Sequence, residues 1–175
     1  IQPSKIINLI NENLESNLSF TDDSIQSFID YSQSQQIFLN NGNVVSLNYL
    51  AKKYEINSLI DITNEYINEN HKDLILELLS IYQYDTSFDN KEYEKIISDH
   101  LEDYINNDLM LTLNIRILYN ILNVFQCKQD KTSILTGEII EFLFKCLNKY
   151  GSNASILFSL IDAASIPPEK VHSLY

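Results

Sequence analysis

Apolar residues along almost the whole chain recur three and four positions apart, the spacing that lines one face of an α-helix. Only 3 Gly and 3 Pro interrupt them in 175 residues, and a sandwich or barrel built of many short strands needs far more turn-makers than that. The chain is therefore predicted to be all-α, with about seven to nine helices packed as antiparallel pairs. With 45% hydrophobic residues it is long enough for one ordinary core or two small ones.

The first helix is expected over residues 4–16, behind Pro3, with Ile6, Ile7, Leu9, Ile10 and Leu14 on one face. Thr21-Asp22-Asp23-Ser24 supplies capping oxygens and first-turn acidity to a second, which carries Ile25, Phe28 and Ile29 and ends near Gln35. Ile37-Phe38-Leu39 is a short apolar run before Asn40-Asn41-Gly42-Asn43; it predicts at most one edge strand, then a turn and an N-cap. Helices over 44–54, 57–70 and 72–83 follow, then the polar break 84–90, which sets the expected domains at 1–84 and 85–175. A long helix over 91–106 is expected to bury Tyr93, Ile96, Ile97, His100, Leu101, Tyr104 and Ile105. Glu92, Glu94, Lys95, Asp99, Glu102 and Asp103 then fall on its solvated face. Ile115 to Phe125 forms another helix, Cys127 to Gly137 a polar loop, and Glu138 to Tyr150 an apolar central helix stopped by Gly151. A helix at 153–162 and a restart at Pro167-Pro168 complete the series.

The net charge of −12, with no stripe of Lys or Arg, argues against nucleic acid and anionic membrane as partners. No apolar run is long enough for a membrane span, and no basic flank and apolar stretch open the chain as in a signal peptide, so a cytoplasmic location is expected. Two cysteines, Cys127 and Cys146, fit reduced thiols better than a disulfide framework. The chain begins at Ile1, not Met, so residues are expected upstream of it.

The segment Asn43 to Leu59 spells two short helices joined by an elbow, with Asn43, Leu47, Leu50, Ala51, Tyr54, Ile56 and Leu59 at characteristic places. It resembles the helical C-terminal half of a BTB domain, and Phe28-Ile29-Asp30-Tyr31 is similar to a further segment of that family, so the likeness covers about residues 20–70. Downstream, Tyr104-Ile105-Asn106-Asn107 with Leu111 and Leu113 is similar to the BACK domain that follows BTB in adaptor proteins. Glu141 to Gly151, continuing through Asn153-Ala154-Ser155-Ile156-Leu157-Phe158, resembles a stretch that precedes ankyrin repeats in large protozoan protein families. The resemblance implies a protein-binding head rather than an enzyme, with ankyrin repeats after Tyr175.

Candidate chemistry reduces to packing and solvation. Ser98-Asp99-His100 has the residue types of a hydrolase triad, but neighbours on a helix point about 100° apart and do not converge on one proton. His100 is instead expected in the core. Asp85-Thr86-Ser87-Phe88-Asp89 opens like a calcium loop, yet Asn90 replaces the turn glycine and Ile96 stands where a bidentate Glu is needed. No metal, cofactor or catalytic residue is expected. Tyrosines recur along the helices, and interfaces favour an apolar ring with a polar tip. Tyr82, Tyr84 and Phe88, beside the break, are the expected exposed set, joined by Glu94 and Glu102 as partner-binding candidates.

Function is expected to be that of a non-catalytic adaptor. By the resemblance, it links clients held on ankyrin repeats to a cullin-type ubiquitin ligase, with contacts in 72–106; a homodimer stays open. The alternative is a structural cap on its own ankyrin solenoid, contacting it through 153–175. An α-helical enzyme is the remote third reading.

Overall fold

A computed structural model describes residues 20–33, 35–128 and 136–171. The helix expected over 4–16 lies outside them. The described residues are helical with no strand. They include seven α-helices of eight residues or more, and the fold is all-α as the spacing predicts. The chain divides into two compact units, Ile1–Tyr82 and Gln83–Tyr175.

In the first unit, α1 (Asp22–Ser32) is started by Thr21, whose Oγ1 accepts from the Ser24 amide at 3.2 Å. Helices α2 (Val44–Lys53) and α3 (Asn57–Glu69) form its closest pair. Their elbow is a Schellman turn: the Ile56 amide donates to Ala51 O at 2.9 Å and the Glu55 amide to Lys52 O at 3.2 Å. Glu55 takes the left-handed conformation, φ 58°, that glycine usually supplies there. Phe28, Leu47, Leu50, Ala51 and Leu59 make one buried cluster, so four residues of the BTB-like motif are core. Helix α4 (Ile75–Tyr82), entered through a 3₁₀ turn at His71–Leu74, packs on α2.

The run 37–39 is neither helix nor strand among the described residues, and Phe38 is 75% exposed. Asn43 explains the shape of this loop. Its side chain makes no cap hydrogen bond to α2. Instead, buried, it accepts from the Asn40 amide at 3.0 Å and donates to Phe38 O at 3.0 Å and Asp23 Oδ2 at 3.1 Å. A buried amide that satisfies loop backbone groups removes the need for a ladder.

In the second unit, α5 (Asn90–Asp99) packs on α7 (Ile115–Lys128). The long helix expected over 91–106 is interrupted at His100 (φ −131°, ψ 39°), after which α6 (Leu101–Tyr104) adds one more turn. Ile97, Leu101 and Ile105 stay buried across the break, whereas His100 is exposed rather than in the core. Helix propensity at Asp99-His100 is too low to hold the turn once burial on both sides is met without it. Helix α8 (Thr136–Tyr150) buries Ile139, Ile140, Phe142, Leu143 and Cys146 and ends at Gly151 with φ 58°. The helix expected over 153–162 is a 3₁₀ turn, Gly151–Ala154, followed by α9 (Ser155–Phe158). A final turn, α10 (Pro168–Val171), begins at the second of the paired prolines.

Candidate functional site: a polar cleft in the second unit

The segment 83–90 carries side chains that serve its own backbone. Asp85 Oδ1 accepts from the Ser87 amide at 2.8 Å and Ser87 Oγ at 2.6 Å, a local side-chain-to-backbone turn. Asp89 Oδ1 accepts from the Lys91 amide at 3.1 Å and caps α5. Phe88 stacks on Tyr93 with centroids 4.9 Å apart.

Gln83 ties this segment to the start of α7. It is buried; its Nε2 donates to Thr112 O at 3.1 Å and its Oε1 accepts from the Asn114 amide at 2.7 Å. Asn114 in turn caps α7, accepting from the Ile117 amide at 3.0 Å. Tyr150 holds the turn before it, donating to Leu113 O at 2.8 Å. Burial pushes the Tyr150 hydroxyl up to about 12, so it remains a donor at neutral pH.

Between these elements lies an open cleft of about 560 Å³, lined by Gln83, Tyr84, Asp85, Thr86, Phe88, Asn90, Asn114 and Arg116. Its size is that of a small-molecule or short-peptide site, roughly 300–1,000 Å³. The lining is mixed: two aromatic rings, amides, one carboxylate and one guanidinium. Tyr84 is 42% exposed and Arg116 is exposed. Asn90 Oδ1 is buried and accepts no hydrogen bond among the described residues.

Of the five residues expected to bind a partner, the structure brings two, Tyr84 and Phe88, into this cleft. Tyr82 is corrected: it is only 2% exposed and belongs to the first unit's core, where its hydroxyl finds a buried acceptor. Glu94 is also corrected. It is 8% exposed, on the face of α5 toward α7, where its Oε2 accepts from Asn120 Nδ2 at 3.1 Å. Glu102 is exposed on α6, away from the cleft lining. Gln83, Asn114 and Arg116 were not singled out from the sequence, and Asn90 was read only as standing in place of a turn glycine. One signal was available: Arg116 is the only arginine among 175 residues.

Among the described residues, no group of His, Cys, Asp and Glu is arranged to hold a metal ion, and no helix is long and apolar enough to cross a membrane. Comparison of the chain with protein-family models, curated proteins and solved structures finds no match.

Proposed function

We propose that this chain is a non-catalytic protein-interaction module, a cytoplasmic adaptor of the BTB–BACK kind, whose partner surface is the cleft of the second unit. The observation that carries this reading is the join of an exposed aromatic residue, Tyr84, with an exposed arginine, Arg116, on a frame fixed by Gln83 and Asn114. Aromatic residues and arginine dominate the energetics of protein interfaces, and a preorganised frame lowers the entropy lost on binding. The BTB-like residues Leu47, Leu50, Ala51 and Leu59 supply the scaffold, since they are buried. By the same resemblance, the partner is a cullin-type ubiquitin-ligase scaffold and ankyrin repeats carry the client.

Affinity purification of the full-length protein followed by mass spectrometry tests this. A reproducible partner is expected that is lost on Tyr84→Ala or Arg116→Ala and kept on Glu102→Lys. Partner capture indifferent to both cleft variants would contradict the placement of the surface.

The alternative, a cap on an ankyrin solenoid, is favoured by one feature: Ile156 of α9 is 49% exposed. If that reading holds, deleting 153–175 abolishes contact with the repeats and the cleft variants are silent.

A further inference from the structure

Eleven of the twelve basic residues counted as Lys and Arg are lysines, and the single arginine stands on the cleft. The two side chains differ in what they recognise: a guanidinium presents a planar fork that grips a carboxylate through two parallel hydrogen bonds, whereas an ammonium is a point charge. Arg116 is also the second residue of the 14-residue helix α7, whose N-terminal end carries partial positive charge. Against the net charge of −12, this is a local site for a negative group.

The rest of the lining limits what that group can be. Asp85 lines the same cleft, and Glu94 is near enough for its charge to interact with that of Arg116; both oppose a second negative charge, which favours a monoanion over a phosphate dianion. Asn90 Oδ1 accepts nothing among the described residues, so turning its amide toward the cleft breaks no bond at that atom and offers an acceptor for an N–H. Tyr84 and Phe88 provide apolar surface beside these polar groups. A carboxylate, an adjacent N–H and a neighbouring apolar side chain occur together in an acidic residue within a peptide.

We infer that the cleft recognises an acidic peptide segment of the partner, with Arg116 gripping an Asp or Glu carboxylate, Asn90 accepting a peptide N–H, and Tyr84 with Phe88 covering a flanking apolar side chain. This rests on the interaction-module reading and specifies its partner chemistry.

The test is selection of a phage-displayed library of random short peptides on the full-length protein and, in parallel, on its Arg116→Ala and Arg116→Lys variants. Wild type should enrich peptides with Asp or Glu at one fixed position; Arg116→Ala should lose that preference and Arg116→Lys should only weakly restore it. The most enriched peptide should bind about tenfold or more weakly when its acidic residue becomes the matching carboxamide, the loss that follows a charge-assisted hydrogen bond. It should gain nothing from phosphoserine at that position. In the 175-residue chain alone, which has one arginine, the single guanidinium Nε–Hε cross-peak in a nitrogen–proton NMR spectrum reports on the cleft without assignment, and it should shift on adding the acidic peptide but not the carboxamide. Enrichment with no acidic position, the same preference on Arg116→Ala, tighter phosphoserine binding, or no enrichment at all would each overturn the acidic-peptide assignment. The interaction-module reading would still stand or fall on the purification experiment.

Discussion

The Tyr82 hydroxyl donates to Asn48 Oδ1 at 2.6 Å inside the first unit, joining the end of α4 to the middle of α2. Asn48 uses its amide nitrogen in the other direction, donating to Thr63 Oγ1 at 2.8 Å and Asn64 Oδ1 at 2.9 Å on α3. Thr63 Oγ1 in turn donates a hydrogen bond to Leu59 O at 2.6 Å. One buried amide thus links three helices. Polar groups so deep persist only when satisfied, and a satisfied network fixes one packing where apolar contacts alone would tolerate several.

Tyr82→Phe tests that link. The ring keeps its edge contact with Tyr49, centroids 5.6 Å apart, and its place under Lys52 Nζ at 4.9 Å. What it loses is the donor to Asn48, leaving a buried acceptor unpaired at a cost of about 1–3 kcal/mol. Chemical denaturation should show that loss, and hydrogen exchange should place it in α2 and α4; an unchanged midpoint would mean that water replaces the hydroxyl.

Glu94 predicts a pH dependence. Burial raises its carboxyl above the ordinary 4.5, while the Asn120 hydrogen bond and then the Arg116 charge pull it down without cancelling the rise. A folded-state value above the unfolded one means the folded chain binds the proton more tightly. The resulting stabilisation is complete below 4.5 and is lost as pH rises through the folded value. Glu94→Gln keeps an acceptor for Asn120 and removes the titration. Its melting temperature relative to wild type should therefore increase from acid to neutral pH. Calorimetry across that range checks the sign. Glu94→Lys, by contrast, buries an ammonium and should destabilise the second unit, whereas Glu102→Lys on the exposed turn should not.

The helical class was legible because it rests on spacing: Phe28, Ile29, Ile97, Leu101 and Ile105 are buried on the faces that their periodicity predicts. Glu94 shows where periodicity stops. It lies on the charged side of an otherwise amphipathic helix, yet α7 covers that side and supplies Asn120 to satisfy it, which depends on a residue 26 positions away. Tyr82 was misplaced for the same reason, since its acceptor Asn48 is 34 positions distant. The cleft was half visible. Tyr84 and Phe88 drew notice as aromatics beside a polar break, but Arg116 and Asn114 join them only because Gln83 ties distant backbone segments together. His100 failed as a core residue because a helix break turns it outward, and no stop signal as strong as Gly151 marks that break.

The two thiols should react differently. Cys146 is buried in α8 and its pKa is pushed up to about 12, chiefly by burial, with Lys149 opposing; Cys127 is exposed near the end of α7. Thiolate is the reactive form, so an aromatic disulfide reagent should modify one thiol per chain in the native protein and the second only after denaturation. Mass mapping should assign the first to Cys127. Two equally fast thiols would show that α8 opens readily.

The partner-facing role of the cleft is the central claim, and photo-crosslinking tests it at a single residue. With a benzophenone amino acid at position 84 in the full-length protein inside its own cells, irradiation should yield one discrete adduct. Arg116→Ala should abolish it, and the same probe at position 102 should give none. Adducts of equal yield from both positions, or a discrete adduct arising only at position 156, would contradict this account and favour the cap.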